Sequence, residues 1–360
     1  MAKFSLDGIA IRGISCAVPT QKVDNTDYYD KYGKEYVDDF IATTGVKSTH
    51  RAHEKQTASD LCYVAADNLI REKNIDRDKI GAIVFISQTP DYRYPATACV
   101  LHHRLGLPLS CMAFDVNLGC SGYVYGINIV GSLMRTSDIE SAILMFGDTS
   151  TKTNSPDDRS SFMLFGDSGS ATYLVKEEGA CVKGELLTDG DGFNAIMMPA
   201  GGYRMLHGSH ERVMWPDGNM RSDYDGYMNG TDVFSFSISK VPKLINKFIS
   251  ENEYSLEDID ALVLHQANML IIKQISRKTK IPMDKIPISM DRYGNTSGTS
   301  IPLTLCDTYG MDSDGEFKGI VSGFGIGLSW GVVGFDIAKK DILPIALTDD
   351  YFKNGGVKVG

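Results

Sequence analysis

A chain of 360 residues is long enough for two domains, or for one large α/β unit of two similar halves. Hydrophobic residues at 42% and charged residues at 23% are ordinary for a globular protein, no run approaches the ~20 apolar residues needed to cross a bilayer, and a net charge of −10 argues against nucleic acid as a bulk partner. Seven cysteines, an odd number without a C-x-x-C pair, fit reduced thiols in a cytoplasm and offer neither a disulfide frame nor a zinc cluster.

The first twenty residues alternate at Ile9, Ile11 and Ile14 and read as a first strand rather than a signal peptide. Residues 25–43 have helical character and lead to a turn at Thr44-Gly45-Val46. Residues 58–73 carry apolar positions at helical spacing, with Ser59 as the expected cap. The continuous apolar run 80–87 reads as a strand buried on both faces. A helix over 95–105 and a strand over 112–118 follow, and then a core helix from Gly122 to Met134. Strands are predicted at 142–147, 169–175, 261–265, 317–322 and 332–338, with helices at 232–252 and 269–280. Residues 186–226, rich in Gly, Asp, Met and Tyr, show little periodicity and read as a long surface excursion.

The chain repeats itself. Asp78–Phe85 matches Glu257–Leu264, and Ile143–Gly147 resembles Ile320–Gly325, in the same order. Two halves of one α/β design are therefore expected, 1–180 and 181–360. Sites in such folds form where the carboxyl ends of strands converge, which places Cys120 and His265 together, one from each half.

Cys120 stands between a strand and a helix, beside Gly119, Ser121 and Gly122. Unpaired N–H groups and the helix dipole at that position favour a thiolate; a packed core cysteine is the alternative. His265, in His265-Gln266-Ala267-Asn268, ends an apolar strand and is either a satisfied structural group or a catalytic one. Tyr293-Gly294-Asn295-Thr296-Ser297-Gly298 is a polar turn before a helix, readable as a cap. Gly323-Phe324-Gly325-Ile326-Gly327 has a glycine at every second position and lacks the following helix of a phosphate loop. The histidines of His207–His210 lack a third ligand, so no metal is expected.

Four motifs in order, Gly119-Cys120-Ser121-Gly122, His265-Gln266-Ala267-Asn268, Gly294-Asn295-Thr296-Ser297 and Gly323-Phe324-Gly325-Ile326-Gly327, resemble the signatures of β-ketoacyl-ACP synthase III, in the thiolase-like superfamily. The similarity extends over nearly the whole chain, including Thr44-Gly45-Val46, Phe162–Ala171 and Met228-Asn229-Gly230. The resemblance implies a thiolase-like fold of two duplicated α/β halves, layered α-β-α-β-α. It implies condensation of an acyl-CoA primer with malonyl-ACP through an acyl-Cys120 intermediate, giving 3-oxoacyl-ACP, CO₂ and CoA, with no cofactor.

In that reading His265 and Asn295 stabilise the enolate formed on decarboxylation, and backbone N–H groups of Cys120 and the Gly325-Ile326 turn hold the second oxyanion. Phe324 lines the acyl site, and Tyr94 stands where the family uses an aromatic from a partner subunit, implying a homodimer. Arg159 matches a CoA-nucleotide contact, Asn268 a pantetheine contact, and Gly230 falls in a matching substrate-site motif. Three departures stand out: Asp39 replaces an adenine-stacking tryptophan, Thr43 an arginine near the CoA phosphates, and Leu270 an arginine used in carrier docking. Phe40, beside Asp39, takes the stacking role only if the backbone shifts. Docking of an acidic carrier then falls to Lys273, Arg277, Lys278 and Lys280, for which a solvated charged face is the alternative. A specialised acyltransferase or condensing enzyme with an unusual donor or acceptor is the second functional reading.

Overall fold

The computed structural model describes residues 2–255, 257, 259–353 and 355. Asp258 of the expected repeat and the outermost ends of the two expected halves lie outside the described residues. The principal strands are β1 (Ala2–Pro19), β2 (Ile80–Ile86), β3 (Met112–Val116), β4 (Ser141–Asp148), β5 (Ser168–Thr188), β6 (Ala261–Leu264), β7 (Glu316–Gly325), β8 (Ser329–Ala338) and β9 (Ala346–Thr348). The principal helices are α1 (Lys34–Thr44), α2 (Ala58–Glu72), α3 (Thr97–Leu105), α4 (Gly122–Arg135), α5 (Gly230–Glu251), α6 (Met269–Thr279) and α7 (Ser300–Tyr309).

The hydrogen-bonded path β6-β7-β8-β5-β4-β2-β3 is two sheets joined by two long strands. Residues 168–175 of β5 pair with β4, while 183–188 pair with β8. β1 follows the same course, with 9–17 against the first part of β5 and 2–7 against the second. Its register jumps between Asp7 and Ile9, where Gly8 and Gly179 both take positive φ and let the ribbon pass from one sheet to the other. The expected division at 180/181 thus falls inside β5, and the first residues of β1 belong to the second sheet.

The repeated segments occupy matching places. β2 pairs parallel with β4, and β6 pairs parallel with β7. Three apolar cores lie around the two sheets. One holds α2 and α3 against an outer face, with Cys62, Leu69, Leu101 and Phe85. The middle one holds α4 and α7 between the sheets, with Tyr123, Ile127, Ile301 and Leu305. The third packs α1, α5 and α6 on the far face, with Phe40, Ile245 and Ile272. This is the α-β-α-β-α layering, and it explains why α4 is apolar on nearly every side: it faces a sheet above and below.

Several local expectations need correction. The cap of α2 is Thr57, not Ser59; Thr57 and Asp60 form a reciprocal capping box, while Ser59 donates to Asp91 at 2.7 Å. The strand expected at 169–175 continues to Thr188, because its second half has new partners in the other sheet. The excursion therefore begins at Asp189. It is not only a surface tract: it holds short antiparallel pairs, 196–197 with 227–228 and 213–214 with 220–221, and buries Arg221. Among the described residues no helix is long and apolar enough to cross a membrane.

Candidate active site

Cys120 sits in the break between β3 and α4, His265 directly follows β6, and Asn295 lies in the turn before α7. All three line one cavity, about 80 Å³ in volume, together with Asn268, Phe324, Gly325 and Ile326. Each is buried, at 7%, 2% and 5% exposure. Strand ends from both halves converge there, as the repeat requires.

The close packing around the sulfur depends on glycine. A Cβ placed on Gly325 would lie 2.7 Å from Cys120 Cβ and 3.0 Å from its Sγ, so only glycine lets the turn after β7 reach the cysteine. The Ile326 N–H is thereby brought toward the sulfur and, with the N–H of Cys120 itself, favours its charged form. Two backbone donors at one atom are the parts of an oxyanion hole.

The electrostatics of the thiol differ from the sequence expectation. Burial pushes Cys120 up to about 11, and the buried carboxyl of Asp148 adds to the rise; the Ile326 N–H, the Ser297 hydroxyl and its own N–H pull the other way. Desolvation outweighs the helix terminus, so the resting group is a thiol and not the expected thiolate. Asp148 is itself pushed up to about 6 by burial, although Ser87, Gln88 N–H and Thr89 donate to its Oδ1.

His265 behaves in the opposite sense. Burial lowers it to about 4, against an opposing contact with the Ser297 backbone, so the ring is neutral across the physiological range. Phe324 meets the imidazole edge-on with ring centroids 5.4 Å apart, and Nδ1 lies 2.8 Å from Ser300 Oγ. Asn295 is anchored through its backbone, donating to Leu164 O and accepting from Gly166 N. Its Oδ1 accepts the Ser297 N–H at 3.0 Å, which leaves the Nδ2 hydrogens for the cavity. The cavity thus presents a nucleophile in waiting, a neutral imidazole and a carboxamide donor, without a metal-ligating group of three His, Cys, Asp or Glu among the described residues.

The other expected site residues divide. Asn268 lines the cavity while its Oδ1 caps α6 through the Ile271 N–H at 2.8 Å. Gly230 starts α5, exposed and outside the cavity lining, whereas Val233 and Ser237 on the same helix reach the wall. Tyr94 is 80% exposed and contributes nothing to the cavity within this chain. Lys273, Arg277, Lys278 and Lys280 are exposed along and just beyond α6; Lys278 is tied to the Ile238 carbonyl at 2.8 Å.

Phe40 requires correction: it is buried in the core under α1 and does not face the mouth. The aromatic turned toward Arg159 is Tyr36, one helical turn earlier, with the guanidinium 4.9 Å from the ring centre and the Tyr36 hydroxyl donating to the Arg159 carbonyl at 3.2 Å.

The sequence reading missed Leu164, Phe165, Ile196, Met228, Val233 and Gln88, all of which line the cavity. Ile196 and Met228 come from the pair that closes the excursion. Their only advance signal was the motif Met228-Asn229-Gly230; isolated apolar residues in an aperiodic stretch carry no period to read.

Two family models match this chain: 3-oxoacyl-[acyl-carrier-protein (ACP)] synthase III over residues 114–190, and the C-terminal region of the same family over 249–337. The chain is 33% identical over 327 residues to a β-ketoacyl-[acyl-carrier-protein] synthase III of Clostridioides difficile strain 630, covering 89% of this chain and 96% of the relative. It is 31% identical over 350 residues to a putative 3-oxoacyl-[acyl-carrier-protein] synthase 3 of Campylobacter jejuni, covering 95% and 98%. A crystal structure of a 3-oxoacyl-(acyl-carrier protein) synthase from Burkholderia xenovorans LB400 superposes with a TM-score of 0.90 at 32% identity, covering 96% of this chain and 99% of that one.

Proposed function

The chain belongs to the 3-oxoacyl-[acyl-carrier-protein] synthase III family, and we propose on that premise that it condenses an acyl-CoA primer with malonyl-ACP. The products are 3-oxoacyl-ACP, CO₂ and CoA. The observation that carries this reading is the meeting of Cys120, His265 and Asn295, from three separate segments, in the wall of one cavity.

In the first step Cys120 attacks the acyl-CoA carbonyl. The tetrahedral oxygen takes the N–H groups of Ile326 and Cys120, and the thiol proton leaves with the CoA sulfur. An acyl-enzyme divides one difficult displacement into two easier ones. In the second step malonyl-ACP enters and its C–CO₂ bond breaks, leaving an enolate on the thioester. The enolate oxygen receives hydrogen bonds from the His265 ring N–H and Asn295 Nδ2, each such pre-aimed donor being worth ~3 kcal/mol of barrier. The enolate carbon then forms the new bond to the acyl carbonyl, and the Cys120 sulfur departs as the thiolate and takes up a proton from solvent. A neutral imidazole suits this role, since no proton is abstracted: departing CO₂ supplies the electron pair.

The burial of the Cys120 thiol supports a gated nucleophile, whose ionisation waits for the bound thioester. We assign the CoA nucleotide to Arg159 and Tyr36, whose stacked pair stands where Asp39 and the buried Phe40 offer nothing. The exposed basic residues of α6 are assigned to the acidic carrier, and the exposed Tyr94 to a second copy of this chain in a homodimer. No cofactor is needed for any step, and seven free cysteines accord with a cytoplasmic setting.

Incubation with an acyl-CoA and malonyl-ACP tests this. Release of CO₂ with a 3-oxoacyl-ACP product, and an acyl mass on Cys120 when the malonyl substrate is withheld, is the expected result. Release of CoA without CO₂ would instead favour transfer to another acceptor.

A further inference from the structure

Ser300 is the first residue of α7 and is 1% exposed. Its hydroxyl oxygen has two recorded neighbours: it accepts the Gln266 N–H at 3.2 Å, and it lies 2.8 Å from His265 Nδ1. A serine hydroxyl has one proton to give and two lone pairs to fill. With one lone pair taken by Gln266, two arrangements remain at Nδ1. If Nδ1 carries the ring proton, it fills the second lone pair and the serine's own hydrogen is left without an acceptor in a sealed site. If Nδ1 is bare, the hydroxyl donates to it, the serine's hydrogen is paired, and the ring proton sits on Nε2. Among the described residues Ser300 Oγ makes no hydrogen bond to a carbonyl oxygen, so His265 Nδ1 is the acceptor within its reach. Buried polar hydrogens in folded proteins are paired with few exceptions, which selects the second arrangement.

We infer that Ser300 is a positioning residue for condensation: its hydroxyl holds His265 in the tautomer that carries the proton on Nε2. This rests on the decarboxylating reading above, in which the ring must be a donor to the enolate. A neutral ring has a single N–H, so a proton on Nδ1 would turn a lone pair toward the developing negative charge. The frame around the pair is rigid. Gln266 Nε2 donates to Leu264 O, Gln266 Oε1 accepts the Ser289 N–H, and Thr304 Oγ1 donates to the Ser300 carbonyl. Ser300 therefore cannot swing away without disturbing both the end of β6 and the start of α7. The Ser300 hydroxyl makes no hydrogen bond to Cys120, so the acyl-transfer half of the reaction does not depend on it.

The test uses the full-length enzyme with ¹⁵N-labelled histidine. In the wild type the His265 resonances are expected to show a protonated Nε2 and a bare Nδ1. S300A should give a mixture of tautomers and lower the condensation rate by about tenfold or more, while the burst of CoA from Cys120 acylation changes by less than about twofold. S300T, which keeps the hydroxyl, should restore both tautomer and rate. Should S300A fail to fold, S300C supplies a weaker donor of similar size and an intermediate loss. Finding Nδ1 protonated in the wild type, or an unchanged tautomer and rate in S300A, overturns the inference. The family-level reading fails separately, if the wild type forms no 3-oxoacyl product at all.

Discussion

The guanidinium of Arg221 lies 2.5 Å from Asp158 Oδ2, and both side chains are 1% exposed. Arg221 stands in the excursion, whereas Asp158 adjoins Arg159, so a buried ion pair clamps the one to the loop that carries the other. Asp158 also accepts from Ser160 N–H and its hydroxyl, and Arg221 keeps a second partner in Asp217. Removing the Asp158 charge leaves the buried Arg221 with Asp217 alone, a cost of at most about 3 kcal/mol. D158N should therefore lower the thermal midpoint and raise KM for acyl-CoA with kcat little changed. Differential scanning calorimetry and initial rates check the two halves of that statement.

The approach of Gly325 to Cys120 gives a sharper outcome. Its φ is +157° and an added methyl would meet the cysteine Cβ at 2.7 Å, so G325A must displace either the turn or the nucleophile. Acylation should fall by at least about a hundredfold, the scale on which a mis-set oxyanion donor acts. Mass spectrometry of acyl-Cys120, beside a far-ultraviolet spectrum to confirm folding, measures it. Normal acylation by G325A would remove the turn from the site.

The pH behaviour follows from two buried groups of opposite sign. His265 falls from 6.5 to about 4 on folding, so the unfolded chain binds the extra proton between those values. Its contribution is present above pH 6.5 and is lost as the pH drops toward 4. Asp148 rises from 3.8 to about 6, so its contribution is present below 3.8 and is lost as the pH climbs through 6. The two oppose each other over the same window and flatten the wild-type profile. Relative to H265Q, the wild type should gain about 3 kcal/mol between pH 4 and pH 7, the linkage value of a shift this large. Relative to D148N it should lose stability over that range. Urea titrations at a series of pH values resolve both.

Tyr36 and Phe40 share α1 and should separate cleanly. Y36A removes the ring stacked on Arg159 and should raise KM for acyl-CoA while leaving a short pantetheine thioester unaffected, since the latter lacks the nucleotide. F40A empties a core site, at 9% exposure, and should cost about 3–5 kcal/mol in chemical denaturation with KM unchanged in the folded fraction. Equal effects of the two on KM would return the stacking role to Phe40.

Much of the architecture could be read in advance where a pattern is local. Apolar runs such as Ile80–Ile86 and Ala261–Leu264 are strands because no solvent reaches either face, and their repetition announced the paired halves. The motifs around Cys120, His265 and Asn295 brought the family with them, since each couples a reactive side chain to the small residues that give it space. The resemblance placed a stacking aromatic at position 39, where this chain has Asp39, and could not say which neighbouring ring turned toward Arg159.

Side-chain identity and short-range spacing were enough to single out the three reactive groups, and the resemblance carried by their motifs supplied the fold and the chemistry. Folding alone settled the state of those groups, because ionisation depends on how much water is excluded from every direction. A helix terminus promised a thiolate at Cys120; the closed cavity and the Asp148 carboxyl keep it a thiol. Folding also paired Arg221 with Asp158 across 63 residues, a contact for which no periodicity in the chain gives warning.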